Sequence, residues 1–293
     1  MKSSVVIAAA LAMATNGVTA KLQRCGTNEV PFAFLEESIR LQNIAKHSKP
    51  LDDPTPRTQT IKVHMHNIYV NQSTAGAYIT EDDIMKQFDV INDNYASTGV
   101  SFILGNVTFT ENAAWAKSTR GTQNEVKMKK ALRQGGYNEL NLYFRPIGGN
   151  LLGYCTFPED TKEGSEVFWA DGCTVLQSTV PGGATKPYDE GKTATHEIGH
   201  WLGLFHTFQG GCRGGDMVDD TPAQETATGG CPEGKDTCRG TEFPGLDPIH
   251  NYMDYSDDPC MTEFTAGQAA RIYQSWDRYR APKGASDGSG EGI

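Results

Sequence analysis

The chain has 293 residues, 38% of them hydrophobic, and a formal charge of −10. That length suits one core of ordinary size plus a short leader, and the acidic balance argues against a nucleic-acid surface while speaking to solubility rather than activity. Beyond the first residues no stretch is apolar enough to cross a bilayer, so no membrane partner is expected.

Residues 1–20, MKSSVVIAAALAMATNGVTA, carry a lysine near the start, an apolar run from Val5 to Met13 and small residues ending Val18-Thr19-Ala20. This pattern predicts a secretory signal peptide cut after Ala20, with a run too short to span a membrane. Sequons at Asn71 and Asn106 fit export and N-glycosylation. A polar leader, residues 21–57, follows and is expected to be a pro-segment. It ends in HSKPLDDPTPRTQT, whose prolines and charges read as an exposed linker open to processing.

From Thr60 the pattern becomes regular. IKVHMHNIYV reads as a strand, with His64 and His66 on one face as structural histidines. TEDDIMKQFDVINDNYAS predicts an amphipathic helix with Thr80 as N-cap and Asp82 and Asp83 in its first turn. VSFILGNVTFT is a second strand, QNEVKMKKALRQGG a helix closed by Gly135-Gly136, ELNLYFRPI a third strand and EVFWADGCTVLQST a fourth. Alternating strands and helices imply an α/β fold with a largely parallel, twisted sheet. After the helix KTATHEIGHWLGL, residues 207–260 are rich in Gly, Asp, Pro and Cys with little periodicity, and read as loops held by disulfides. FTAGQAARIYQSWDRYR gives a last helix with Thr265 and Gln268 spaced as a capping box, and residues 281–293 form a flexible tail. The catalytic domain is therefore expected over residues 58–280.

The chemistry concentrates in HEIGHWLGLFH, residues 196–206. His196 and His200, four apart, share one helix face and can meet a single zinc ion. Gly203 allows a left-handed turn that ends the helix and returns His206 as third ligand, leaving a fourth position for water. Glu197 projects at a different angle, placed to take the proton of a water whose pKa zinc lowers toward ~7, and to hand it to a leaving amine. A helix with merely surface histidines leaves Gly203 and His206 unexplained.

These residues resemble the metzincin clan of zinc endopeptidases, whose motif HExxHxxGxxH is followed by a methionine-containing turn. HNYMDYS, with Met253 as the floor beneath the imidazoles, is similar to that turn. Within the clan the resemblance is to the pappalysin family, particularly its secreted fungal and microbial metalloproteases, through HEIGHWLGLFHTFQGGC, GDMVDDTP and HNYMDYSDDPCMTEFT. It covers residues 195–265; upstream the order of elements, GYCTFP and VPGG support it. The resemblance implies an α/β, five-stranded mixed sheet with helices behind it, and a cleft between an upper subdomain and a loop-rich lower one.

Seven cysteines are odd for an oxidising compartment, and the six in the second half could pair in any of fifteen ways. The resemblance selects Cys155–Cys173, Cys212–Cys238 and Cys231–Cys260. It also implies that Tyr255 hydrogen-bonds the tetrahedral intermediate, that calcium binds near Asp216, Asp220 and Thr221, and that Asp258 rims an S1′ pocket where a carboxylate favours Arg or Lys. Cys25 is left over. A thiolate is a strong zinc ligand, so Cys25 is expected to fill the fourth position until the leader is removed, an arrangement that resembles a cysteine switch. The flanking TNEV departs from the longer motif of the matrix metalloproteinases.

The expected protein is a secreted zinc endopeptidase made as a latent precursor, acting on protein or peptide substrates, with a monomer as the default state. Two other readings are a binding module with a structural zinc, for which His250 is the nearest extra ligand, and a metallohydrolase acting on non-peptide amides.

Overall fold

A computed structural model describes residues 22–27, 29–47 and 57–282. The signal peptide, the centre of the linker and nearly all of the tail lie outside them. The elements run β1 (Gln23–Cys25), α1 (Phe32–His47), β2 (Gln59–Tyr69), α2 (Glu81–Tyr95), β3 (Val100–Glu111), α3 (Ala113–Ala116), α4 (Gln123–Leu132), β4 (Leu140–Arg145), β5 (Leu151–Cys155), α5 (Glu166–Ala170), β6 (Cys173–Leu176), α6 (Lys192–Trp201), α7 (Gly211–Gly214) and α8 (Ala266–Ser275).

The strands form one sheet in the order β1-β5-β6-β4-β2-β3. All pairs are parallel except β5 with β6. The fold is thus α/β, as expected, but the sheet has six strands where five were expected. The sixth is β1, from the leader, which pairs alongside β5 with Cys25 level with Gly153. Removing the leader would turn β5 into an edge.

Local chemistry explains most of the boundaries. Thr80 caps α2 by accepting from the Asp83 amide, and the Asp83 carboxylate accepts from the Thr80 amide in return. Thr265 and Gln268 close α8 in the same way. The α4 helix stops at Leu132 rather than running to Gly135, and Arg133, already extended at φ −52° and ψ 136°, ends it.

EVFWADGCTVLQST is corrected: Ser165 caps a short helix, α5, and only Cys173–Leu176 is strand. A short apolar run does not by itself distinguish the two states. Besides β1, the sequence reading missed β5, which is five residues long and holds a glycine.

The core lies between the sheet and the α2–α6 pair: Ile61, Val63, Met65, Leu142 and Phe144 from the strands meet Ile84, Ile91, Tyr95, Ile198 and Trp201 from the helices. The Tyr95 hydroxyl donates to the Thr195 carbonyl at 2.9 Å, and Asn94 Nδ2 donates to the Thr195 hydroxyl, so α2 fixes the position of α6. His66 sits between Thr108 and Asn141 and stacks on Tyr143, while His64 meets Glu139. Both are satisfied core histidines.

Disulfides join Cys155 to Cys173, Cys212 to Cys238 and Cys231 to Cys260. The first ties β5 to β6. The other two close loops of 26 and 29 residues in the lower half. Each contributes about 3.5 kcal/mol by loop-closure entropy, in a region with little regular structure of its own.

Candidate active site

The site is built on α6, whose residues from Thr193 to Trp201 are all buried. Helical spacing brings the His196 and His200 rings together edge to face, with centroids 4.9 Å apart. Gly203, at φ +95°, ends the helix in a conformation that a side chain would strain. The turn does two jobs: it returns His206 to the pair, and it offers the Leu204 carbonyl to His200 Nδ1 at 2.8 Å. His196 Nδ1 likewise lies 2.7 Å from the Tyr252 carbonyl. A ring nitrogen facing a carbonyl must be the donor, so both Nε2 atoms carry lone pairs inward.

His200 Nε2 lies 3.1 Å from His206 Nε2, and His196 Nε2 is buried with no hydrogen-bond partner. Burial draws His200 down to about 4 and holds His196 and His206 well below the usual histidine range, so the imidazoles are neutral donors. Ligand atoms of His196, His200, His206 and Cys25 lie within 4.8 Å of one another. The inward lone pairs of His196 and His200, with His206 Nε2 beside them, fit a nitrogen-binding transition metal.

Glu197 reaches toward this cluster from the next helical position. Burial, the largest influence, raises its carboxyl to about 8. One oxygen lies 3.4 Å from Cys25 Sγ and from the Thr27 hydroxyl, and the other is buried without a partner. The space it occupies depends on Gly153, where an added Cβ would sit 2.7 Å from Glu197 Cγ. Met253 Sδ packs against α6 where a Cβ on Gly199 would stand, at 2.3 Å.

The leader fills the cleft. Arg24 is buried and donates to the Ser256 carbonyl at 2.9 Å and to Asp258 Oδ1 at 2.6 Å. Asp258, itself fully buried, also accepts the Glu190 and Lys192 amides, so it braces the start of α6. The Tyr255 hydroxyl donates to the Cys25 carbonyl at 3.1 Å. The Thr27 amide donates to Cys25 Sγ, its hydroxyl bonds the Cys155 backbone, and Arg120 donates to the Gly26 carbonyl.

Arg24, Thr27, Arg120 and Gly153 were not singled out in the sequence. Only the RCG at 24–26 signalled any of them, because their roles come from register between distant segments.

Other expected positions fall elsewhere. Asp216 Oδ1 accepts from the Val218 amide and Thr221 hydroxyl, and its Oδ2 is buried and unpartnered. Asp220 instead spends its two oxygens on the Thr265 hydroxyl and Gly267 amide at the start of α8. His250 lies beside the Cys260 carbonyl, in a different cluster from the three imidazoles. Asn71 and Asn106 are exposed.

Comparison with known proteins agrees with this geometry. The family model described as Pregnancy-associated plasma protein-A matches residues 183–277. An extracellular metalloprotease of Podospora anserina is 48% identical over 248 residues, covering 84% of this chain and 81% of the relative. Extracellular metalloprotease 1 of Coccidioides posadasii is 46% identical over 260 residues, covering 88% and 91%.

Among solved structures, a promirolysin mutant of Tannerella forsythia is 26% identical with a TM-score of 0.65, covering 86% of this chain and 93% of that one. Mature mirolysin in complex with a cleaved peptide is 29% identical with a TM-score of 0.60, covering 75% and 92%. With these likenesses spanning strands, helix and leader, the chain belongs to the pappalysin family of metzincin endopeptidases and is a secreted metalloendopeptidase made as a precursor.

Proposed function

We propose that His196, His200 and His206 hold a zinc ion, that Glu197 is the general base and acid of peptide hydrolysis, and that Cys25 completes the coordination until the leader is removed. Bound there, zinc would act as a Lewis acid that acidifies water toward a pKa of ~7 and polarises a carbonyl. The observation that carries the reading is the convergence of three imidazoles and the Cys25 thiol on one point, with His196 Nε2 unpartnered there and one oxygen of Glu197 3.4 Å from that thiol.

When a substrate carbonyl replaces Cys25, Glu197 takes the proton of the attacking water as the C–O bond forms. It then passes that proton to the amine nitrogen as the C–N bond breaks. Tyr255 already donates to a backbone carbonyl lying in the cleft, and the same hydroxyl stabilises the carbonyl oxygen as it gains charge. Arg24 on Asp258 marks the place of a basic substrate side chain, so Asp258 favours Arg or Lys just after the scissile bond.

The reading extends to the rest of the chain. Residues 1–20 serve as signal peptide and 21–57 as pro-segment, residues 281–293 as tail, and the exposed Asn71 and Asn106 carry glycans. The buried, unpartnered Asp216 Oδ2 supports a calcium ion beside Thr221, whereas Asp220 is committed to α8.

The test is cleavage of unfolded casein by the processed protein. Activity should be abolished by o-phenanthroline and restored by zinc, and Glu197→Ala should retain its metal while losing turnover by at least a thousandfold. Turnover by Glu197→Ala near that of the wild type would remove Glu197 from its role.

A further inference from the structure

Phe34, two residues into α1, is 2% exposed, while its neighbour Phe32 is 73% exposed. Its ring stacks on Phe157 at 5.3 Å and meets Phe205 edge-on at 5.7 Å and Tyr279 at 5.5 Å. The ring tip rests on Gly203, where an added Cβ would approach Phe34 Cζ to 3.1 Å. The pocket is therefore an aromatic cradle with a floor kept open by the motif glycine, and its walls all belong to the part of the chain that survives maturation.

The cradle adjoins the catalytic cluster. The Phe157 ring lies 5.3 Å from the His200 ring, edge to face. Along the chain, Phe157 follows β5 by two residues. Cys25 is level with Gly153, so Phe157 lies four residues further along the chain, two of them beyond the end of β5, and at most about 13 Å away at the rise of an extended strand. Arg24 and Asp258 lie on the opposite side of Cys25 from that direction.

Once the leader leaves, β5 is an unpaired edge that can take up an extended peptide, and the aromatic cradle loses its occupant. We infer that the Phe157–Phe205–Tyr279 cradle is a substrate subsite that takes an aromatic side chain three or four residues before the scissile bond. The inference rests on the proposed endopeptidase reading, and specifically on Asp258 marking the position after that bond. In the precursor, Phe34 is the occupant that keeps this subsite filled and dry.

The experiment uses the processed enzyme and a set of internally quenched peptides with a common Arg after the cut. One phenylalanine is moved through every position from five before to four after the bond, against an all-alanine reference. A tenfold or greater gain in kcat/KM is expected with phenylalanine three or four positions before the bond, expressed mainly in KM. Tyr279→Ala, remote from the imidazoles, should reduce that gain to threefold or less, and Tyr279→Phe should keep it.

Failure of the reference peptide to be cut at all would sink the endopeptidase reading itself. Cleavage of the reference with equal rates for every phenylalanine position would overturn the subsite alone. A peptide of residues 29–47, lacking Arg24 and Cys25, serves as competitor. If it inhibits all peptides alike while phenylalanine position has no effect, the cradle is a docking face for the leader only, and the inference is overturned.

Discussion

Arg24→Ala in the leader tests how latency is held, because this side chain is the most deeply committed contact the leader makes besides Cys25. Its guanidinium and the Asp258 carboxylate are 1% and 0% exposed and meet at 2.6 Å. Breaking a buried pair costs about 3–5 kcal/mol, since the remaining charge stays desolvated. Asp258 keeps the Glu190 and Lys192 amides, which places the loss near the lower end of that range. About 3 kcal/mol corresponds to roughly 150-fold in affinity.

The assay is inhibition of the processed enzyme by a peptide of residues 21–47 and its variants. Lys46→Ala serves as the internal contrast. Lys46 pairs with Asp219 across an interface where the two side chains are 46% and 56% exposed. Such a pair is worth up to about 1 kcal/mol, or about fivefold. Arg24→Ala should therefore weaken inhibition at least a hundredfold and Lys46→Ala fivefold or less. Equal effects for the two, or less than tenfold for Arg24→Ala, would refute the reasoning.

Asp171→Asn should lower the melting temperature by about 6–20 °C, because the buried carboxylate that binds Arg133, Arg280 and the Trp201 indole would leave two guanidinium groups unpaired at a cost of about 3–5 kcal/mol. Burial works against that carboxylate, yet Arg280 and Arg133 hold it below the usual range. Its stabilisation is thus complete above the unfolded value of ~3.9 and is lost as pH falls through the lower folded value, so thermal scans should show the gap to the variant narrowing in acid.

Gly199→Ala drives a Cβ to 2.3 Å from Met253 Sδ and should destabilise the fold by about 1–3 kcal/mol and weaken metal retention, read by denaturation and metal analysis. Gly153→Ala places a Cβ 2.7 Å from Glu197 Cγ and should lower kcat at least tenfold with metal content unchanged.

The sequence made the imidazole trio legible because two constraints coincide in it: a helix fixes the spacing of His196 and His200, and a positive-φ glycine fixes the return of His206. The caps at Thr80 and Thr265 were legible for the same reason, since each is a local exchange of hydrogen bonds. What was not legible depends on contacts between segments far apart. β1 is three residues long and has no periodicity of its own; it is a strand only because β5 offers an edge. The α1 helix went unseen inside a polar leader, and its buried aromatic anchor, Phe34, is explained by rings more than a hundred residues away.

Asp258 shows the difference most plainly. Its expected place on a pocket rim came from resemblance alone. The structure shows it fully buried, paired with Arg24 and also bracing the first turn of α6. The α5 segment was misread for a local reason: VFWA is short and apolar, and the cap at Ser165 was the one signal that separated helix from strand.

Zinc K-edge absorption spectroscopy on the precursor and on the processed enzyme tests the central claim most directly. The precursor should show three imidazole nitrogens at about 2.0–2.1 Å and one sulfur at about 2.3 Å, and the processed enzyme should keep the nitrogens and exchange the sulfur for an oxygen. A precursor without the sulfur, or a processed chain that holds no zinc or closes its coordination with a fourth side chain, would contradict the account.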